Sequence, residues 1–212
     1  MRLAPAFLVL SFVLLTELPV SARPACAEAS LRLNEIMAGP GRDWNGDGTF
    51  SSRDDEWVEV INPGAAPIAL DGFVLMDGDS LVRMALTGTL AAGGTRVIYG
   101  KESYDWEKAT GHPAFGFSLS NSGDRVTLWQ VVGADTMFVD GYTYSSHQGA
   151  SDRSVGRAPG GAAWMLFDAL DPYSGSTLPT GSGCAPTPGA PNSCGTTPAR
   201  NVTWGQVKTL YR

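Results

Sequence analysis

The chain has 212 residues, a formal net charge of −6, 26 glycines and 14 prolines. An acidic surface gains no counterion-release energy on phosphate backbones, which excludes nucleic acid as a partner, and the length allows one ordinary core with flanking segments. So much Gly and Pro implies many turns and few helices. Arg2, the apolar run Leu3–Val20 and the small-residue triplets Val20-Ser21-Ala22 and Ala25-Cys26-Ala27 predict a signal peptide over 1–27. Pro5, Ser11, Thr16 and Glu17 interrupt the run and make it a poor membrane span, so membrane contact is expected only during export. The expected location is secreted, periplasmic or cell-surface. Cleavage after Ala27 removes Cys26 and leaves Cys184 and Cys194 as an even pair, expected to form a disulfide in an oxidising compartment.

Residues 28–171 show short runs of period two separated by turn residues. The runs are Leu31–Ile36, Glu56–Ile61, Gly72–Met76, Leu81–Leu86, Thr95–Tyr99, Arg125–Val132 and Thr136–Tyr144. About seven such strands predict an all-β, antiparallel sandwich. In the last run, strict alternation puts Met137, Val139, Gly141 and Thr143 on one face, and Phe138, Asp140, Tyr142 and Tyr144 on the other. The gap Gly100–Pro113 has room for a helical turn around Tyr104–Glu107. Residues 172–198 hold six prolines and five glycines, which excludes a helix or central strand and reads as an extended, disulfide-closed strap or linker. The tail, 199–212, has capping-box spacing at Thr203–Gln206 and an apolar face of Trp204, Val207 and Tyr211. So short a helix needs a partner surface, either its own sandwich or an envelope component.

The segments LNEIMAGP, DEWVEVINPGAAPIALDGFVLMD, LAAGGTRVIYG, SLSNSGDRVTLWQVVGADTMFVDGYTY, SVGRAPGG and PTPGAPN, in this order, resemble the lamin tail domain family from about Leu31 to Asn192. The resemblance implies an immunoglobulin-like sandwich and, from the bacterial-type members, an extracellular non-catalytic module that binds an unidentified protein or glycan of the cell envelope. It supplies no catalytic residue.

Between the first two runs, Asp43-Trp44-Asn45-Gly46-Asp47-Gly48-Thr49-Phe50-Ser51-Ser52-Arg53-Asp54 has the spacing of a calcium loop. Oxygen ligands fall at Asp43, Asn45 and Asp47; Gly48 takes the sharp turn, Thr49 offers its carbonyl, Ser51 binds directly or through water, and Asp54 closes. Calcium requires six to eight hard oxygens, which a tight acidic loop can gather. The spacing resembles dockerin-type loops, but Gly39-Pro40-Gly41 precludes an entering helix, so the loop is an insertion between strands. Ca2+ is the expected cofactor. The acidic pairs Asp54/Asp55 and Asp77/Asp79 sit at turns and read as solvated tips or calcium ligands rather than paired catalytic acids. Trp44 and Trp106 fall in loops and are candidate ligand-facing aromatics, whereas Trp129 and Trp164 read as core. A calcium-dependent carbohydrate-binding module is therefore the alternative function. A hydrolase lacks any convergent set of titratable groups in the sequence.

Overall fold

The computed structural model describes residues 31–159, 161 and 163–194. The expected signal peptide with Cys26, the end of the Pro/Gly-rich segment and the tail 199–212 lie outside the described residues. The elements are β1 (Arg32–Met37), β2 (Trp57–Ile61), β3 (Ile68–Ala69), β4 (Phe73–Met76), β5 (Val82–Ala85), β6 (Thr89–Leu90), β7 (Thr95–Tyr99), α1 (Gly100–Thr110), β8 (Gly123–Val132), β9 (Asp135–Ser145), β10 (Ser154–Arg157) and β11 (Trp164–Phe167). A five-stranded sheet in the order β11-β10-β1-β2-β7 faces a four-stranded sheet β5-β4-β8-β9, with β3-β6 as a small ribbon. All strand pairs are antiparallel. The sandwich expected from the spacing of apolar runs is therefore the fold.

Alternation decides which residues fill the space between the sheets. In β2 the pattern WVEVI turns Val58 and Val60 inward, where they join Leu33 and Ile36 of β1, Ile98 of β7, and Phe73, Leu75, Val126 and Leu128 of the opposite sheet. Trp57 and Glu59 then point to the outer face of the five-stranded sheet. There Trp57 meets Met37 and Val97 in a second apolar cluster. Glu59 stands opposite Glu35 across the β1–β2 pair. Both carboxylates are fully buried, although they lie on the sheet face away from the main core.

Three features depart from the alternation and spacing read along the chain. A register shift between Leu128 and Trp129 makes a bulge opposite Val139, so alternation in β9 changes phase. Val139, Tyr142 and Tyr144 all pack on the core, and the exposed Phe138 stacks edge-on against Trp129 at 5.3 Å. The expected single turn near Tyr104 is an eleven-residue helix, with Glu102 in its first turn, Lys108 in its last and Gly111 as its left-handed stop. Strands β10 and β11 have four residues each, too short for periodicity to reveal.

The Pro/Gly-rich segment is a docked strap over its described residues. Gly181 bridges Leu166 of β11, and Ala169 donates to the Cys184 carbonyl at 2.9 Å. Asp168 gathers the backbone N–H groups of Tyr173, Ser182 and Gly183 at 2.7, 2.9 and 2.7 Å. Cys184 and Cys194 form the expected disulfide. Both cysteines lie within the strap, so the bond closes a ring without tying it covalently to the sandwich. Replacing both by serine is expected to cost about 2–3 kcal/mol in the chain-entropy picture, read by urea unfolding. Amide exchange at Thr187 and Gly189 should accelerate in the same variant. Unchanged exchange there would show that the ring docks without its closure.

Candidate functional site: the acidic loop and the strap-covered acidic face

The acidic loop leaves β1 through Gly39-Pro40-Gly41 and is clamped to the sandwich at two points. Asp55, fully buried, accepts the backbone N–H groups of Trp44, Asn45 and Ser51 at 2.8, 2.9 and 2.8 Å. Asp152, on the turn before β10, accepts from Gly41 N, from the Trp44 indole and from the Arg42 guanidinium at 2.9 Å each for its closest contacts. These bonds hold its carboxyl below the usual range against the opposing effect of burial. Asp55, expected at a solvated tip or as a calcium ligand, is the internal anchor of the loop. No spacing rule distinguishes it from Asp54, because burial is decided by where β2 begins.

Between the clamps, the alternate acidic side chains wrap the loop. Asp43 accepts from Gly46 N at 2.7 Å and Gly48 N at 2.8 Å. Asn45 accepts from Asp47 N, and Asp47 from Thr49 N, each at 2.8 Å. Gly48 has a φ of 89°, the left-handed turn that its position in the loop demands. The Ser51 hydroxyl accepts from Asp54 N at 3.1 Å. Asp47 and Thr49 are exposed; Asp43, Asn45, Ser51 and Asp54 are half-buried. Among the described residues no three Asp, Glu, His or Cys side chains converge as a metal cluster, so Asp43, Asp47 and Asp54 are brought onto one loop but not together.

The two aromatic candidates are packing residues. Trp44 meets Trp57 edge-on at 6.1 Å and carries Arg42 over its ring at 5.7 Å. Trp106 packs against the main core and stacks with His112 at 4.6 Å. Both rings are half-buried, each with one side engaged by these contacts. The exposed ring on the acidic loop is Phe50, 54% accessible.

A second constellation lies on the outer face of the five-stranded sheet. Glu35 accepts from the Ser154 hydroxyl and, at 2.7 Å, from the Thr187 hydroxyl of the strap. Glu59 accepts from Gly189 N at 2.6 Å and from Asn34. Asn192 links the two sides: its amide donates to the Asn34 and Arg157 carbonyls at 3.2 and 2.7 Å and accepts from Asn34 at 2.7 Å. Gly156 stands opposite Glu35, and a Cβ there would lie 2.7 Å from the Asn192 amide and 2.8 Å from Glu35 Cγ. Its missing side chain is the space in which the network closes. Burial pushes Glu35 up to about 7 against the hydrogen bonds from Ser154 and Thr187, and the neighbouring Glu59 adds to the rise. Glu59 is raised as well, again by burial first.

Glu56, on the other side of β2, is buried and accepts from Leu119 N at 2.9 Å. Burial lifts it to about 8. Asp77 and Asp79, expected as solvated tips or calcium ligands, meet Arg83: Asp77 at 2.7 Å in a buried pair and Asp79 from the exposed side. Glu107 of α1, wholly buried, reaches Arg83 at 3.0 Å and accepts from Phe115 N and Gly116 N at 2.6 and 2.8 Å. Arg83 lies across the β4–β5 turn from Asp77, and its pairing with Glu107 is invisible until β5 and α1 are packed.

These carboxylates are therefore structural elements of an immunoglobulin-like sandwich. The Asp-Glu-Trp-Val-Glu-Val stretch inserts Glu56 and Glu59 into opposite sides of the fold, and Pro-Gly-Ala-Pro-Asn at 188–192 returns to cover one of them. The chain belongs to the lamin tail domain family, whose model matches residues 24–146. It is a family of immunoglobulin-like, non-enzymatic domains. The match ends at the close of β9, whereas β10, β11 and the strap complete the same folded unit. No curated protein matches the chain.

Proposed function

We propose that this chain is a non-catalytic interaction module of the cell exterior or cell surface, stabilised by a calcium ion in the Asp43–Asp54 loop, with a protein or glycan of the envelope as partner. The observation that carries the non-catalytic reading is the commitment of Glu35, Glu56, Glu59 and Glu107, each buried, to hydrogen bonds that hold strands, helix and strap together. Calcium is supported by the twelve-residue spacing, by the left-handed turn at Gly48, and by side-chain oxygens at Asp43, Asn45 and Asp47 on a loop clamped at both ends. Asp43, Asn45, Asp47 and Asp54, with the Thr49 carbonyl and Ser51, would hold the ion.

Thermal melts in calcium and in chelator test the metal. Saturation at a hundredfold excess over Kd stabilises by about 2.7 kcal/mol, and Asp54→Asn should abolish that increment. Identical melting temperatures in the two buffers would reduce the loop to an acidic turn. Capture from the native envelope with and without chelator then tests whether the partner depends on the loaded loop.

A further inference from the structure

A cleft of about 430 Å³ opens where the start of β1, the end of β2 and the end of β10 meet the strap, and its walls include Arg32, Arg157, Ile61, Pro63, Pro159 and Pro191. On a chain with a net charge of −6, no Asp or Glu lines it among the described residues. Its two cations differ in how they are held. Arg157 is fixed: it donates to the Leu33 carbonyl at 2.8 Å and to Asp140 at 2.5 Å, and lies over the Trp164 ring at 5.0 Å. Arg32 is exposed at the mouth and has no carboxylate partner among the described residues. Asp140 balances Arg157, and among the described residues no carboxylate balances Arg32. Its floor is rigid, because Asn34 and Asn192 are tied into the network beneath the strap. Its volume falls within the range of small-ligand sites.

The geometry points to a binding site for a carboxylate carried on an apolar body, such as the last residue of a peptide: the carboxylate pairs with Arg32 beside the fixed Arg157, and the apolar part packs on Ile61 and the three prolines. This deepens the interaction-module reading by naming the chemistry of the partner, and it rests on that reading. Planar guanidinium groups suit a carboxylate through paired N–H donors. The strap supplies one wall, so the cleft exists only in the docked state.

The full chain, labelled with 15N, is titrated with acetyl-Ala-Phe as the free acid, with its C-terminal amide and with acetate. The free acid should shift the amide signals of Arg32, Ile61 and Ala158, the C-terminal amide should bind at least fivefold more weakly, and acetate should bind weakly at the same signals. Arg32→Ala should weaken the acid by about five- to tenfold while leaving the melting temperature unchanged, since Arg32 is exposed, and Arg32→Lys should fall between. Equal binding of acid and amide, no shift at these signals, or an Arg32→Ala variant that binds as the wild type does would each overturn the site. None of these readings involves calcium or the envelope partner, so a failure of the cleft is distinguishable from a failure of the broader function.

Discussion

Replacing Arg83 by methionine is expected to destabilise the domain by about 3–5 kcal/mol, the range found when one member of a buried ionic cluster is removed. Arg83 is 3% exposed and is the cation facing Asp77 and Glu107, which are also buried. Three carboxylates, counting Asp79 at the rim, surround one guanidinium. Asp77 is accordingly pushed up to about 7, by burial first and then by Asp79 beside it, against the pull of Arg83. Methionine fills much of the arginine's volume but leaves Glu107 with only the two backbone donors of the segment after α1. The helix is fastened to β5 through this cluster and through Ser103, whose hydroxyl donates to the Arg83 carbonyl at 2.7 Å. Urea unfolding of the single variant, and of the pair with Glu107→Gln, measures the effect. The pair should recover a large part of the loss, since glutamine removes the stranded charge. A single-variant cost below about 1 kcal/mol would mean that the cluster contributes nothing net.

Raising the pH from about 5 to 8.5 should lower stability, the reverse of ordinary acid denaturation. Glu35, Glu56 and Asp77 sit at about 7, 8 and 7 in the folded chain, and Glu59 is raised too. Their ordinary values near 4 apply once the chain unfolds. Between those limits the folded state holds protons that the unfolded state has released, so stability falls as pH rises. The contribution is complete below about pH 4 and is lost as pH passes through 7 to 8. Asp79 and Asp152, which are lowered, are ionised throughout this window and leave the slope unchanged. Melting temperatures should drop by several degrees across the range. Glu56→Gln keeps an acceptor for Leu119 N and removes the titration, so it should flatten the slope and raise the melting temperature at pH 8.5. A melting temperature that holds or climbs from pH 5 to 8.5 would contradict this account.

The alternation of β2 was legible because five residues with Val58 and Val60 between polar or aromatic neighbours admit one half-buried strand and few alternatives. The same holds for β7, whose bounds Thr95–Tyr99 coincide with the apolar run. The acidic loop was legible as an insertion because Gly-Pro-Gly forbids helix and a strand follows. The cysteine pairing was legible from parity. Each of these depends on neighbours a few residues away, and such local constraints are what a sequence expresses.

Only tertiary packing decided the rest. The face of β9 was set by a bulge, and a bulge answers to the partner strand rather than to its own residues. Asp55 and Asp54 are chemically alike and adjacent, yet one is buried beneath the loop and the other half-buried at its close, because β2 must start at Trp57. Glu35 and Glu59 look like solvent-facing positions of two alternating strands. They are buried because a proline-rich segment some 130 to 150 residues further along, closed by its own disulfide, lays Thr187 and Gly189 upon them. Local periodicity could place side chains on a face; whether water or another segment meets that face depends on where a distant piece of chain comes to rest, and that is settled by the hydrogen bonds and buried surface of the folded whole.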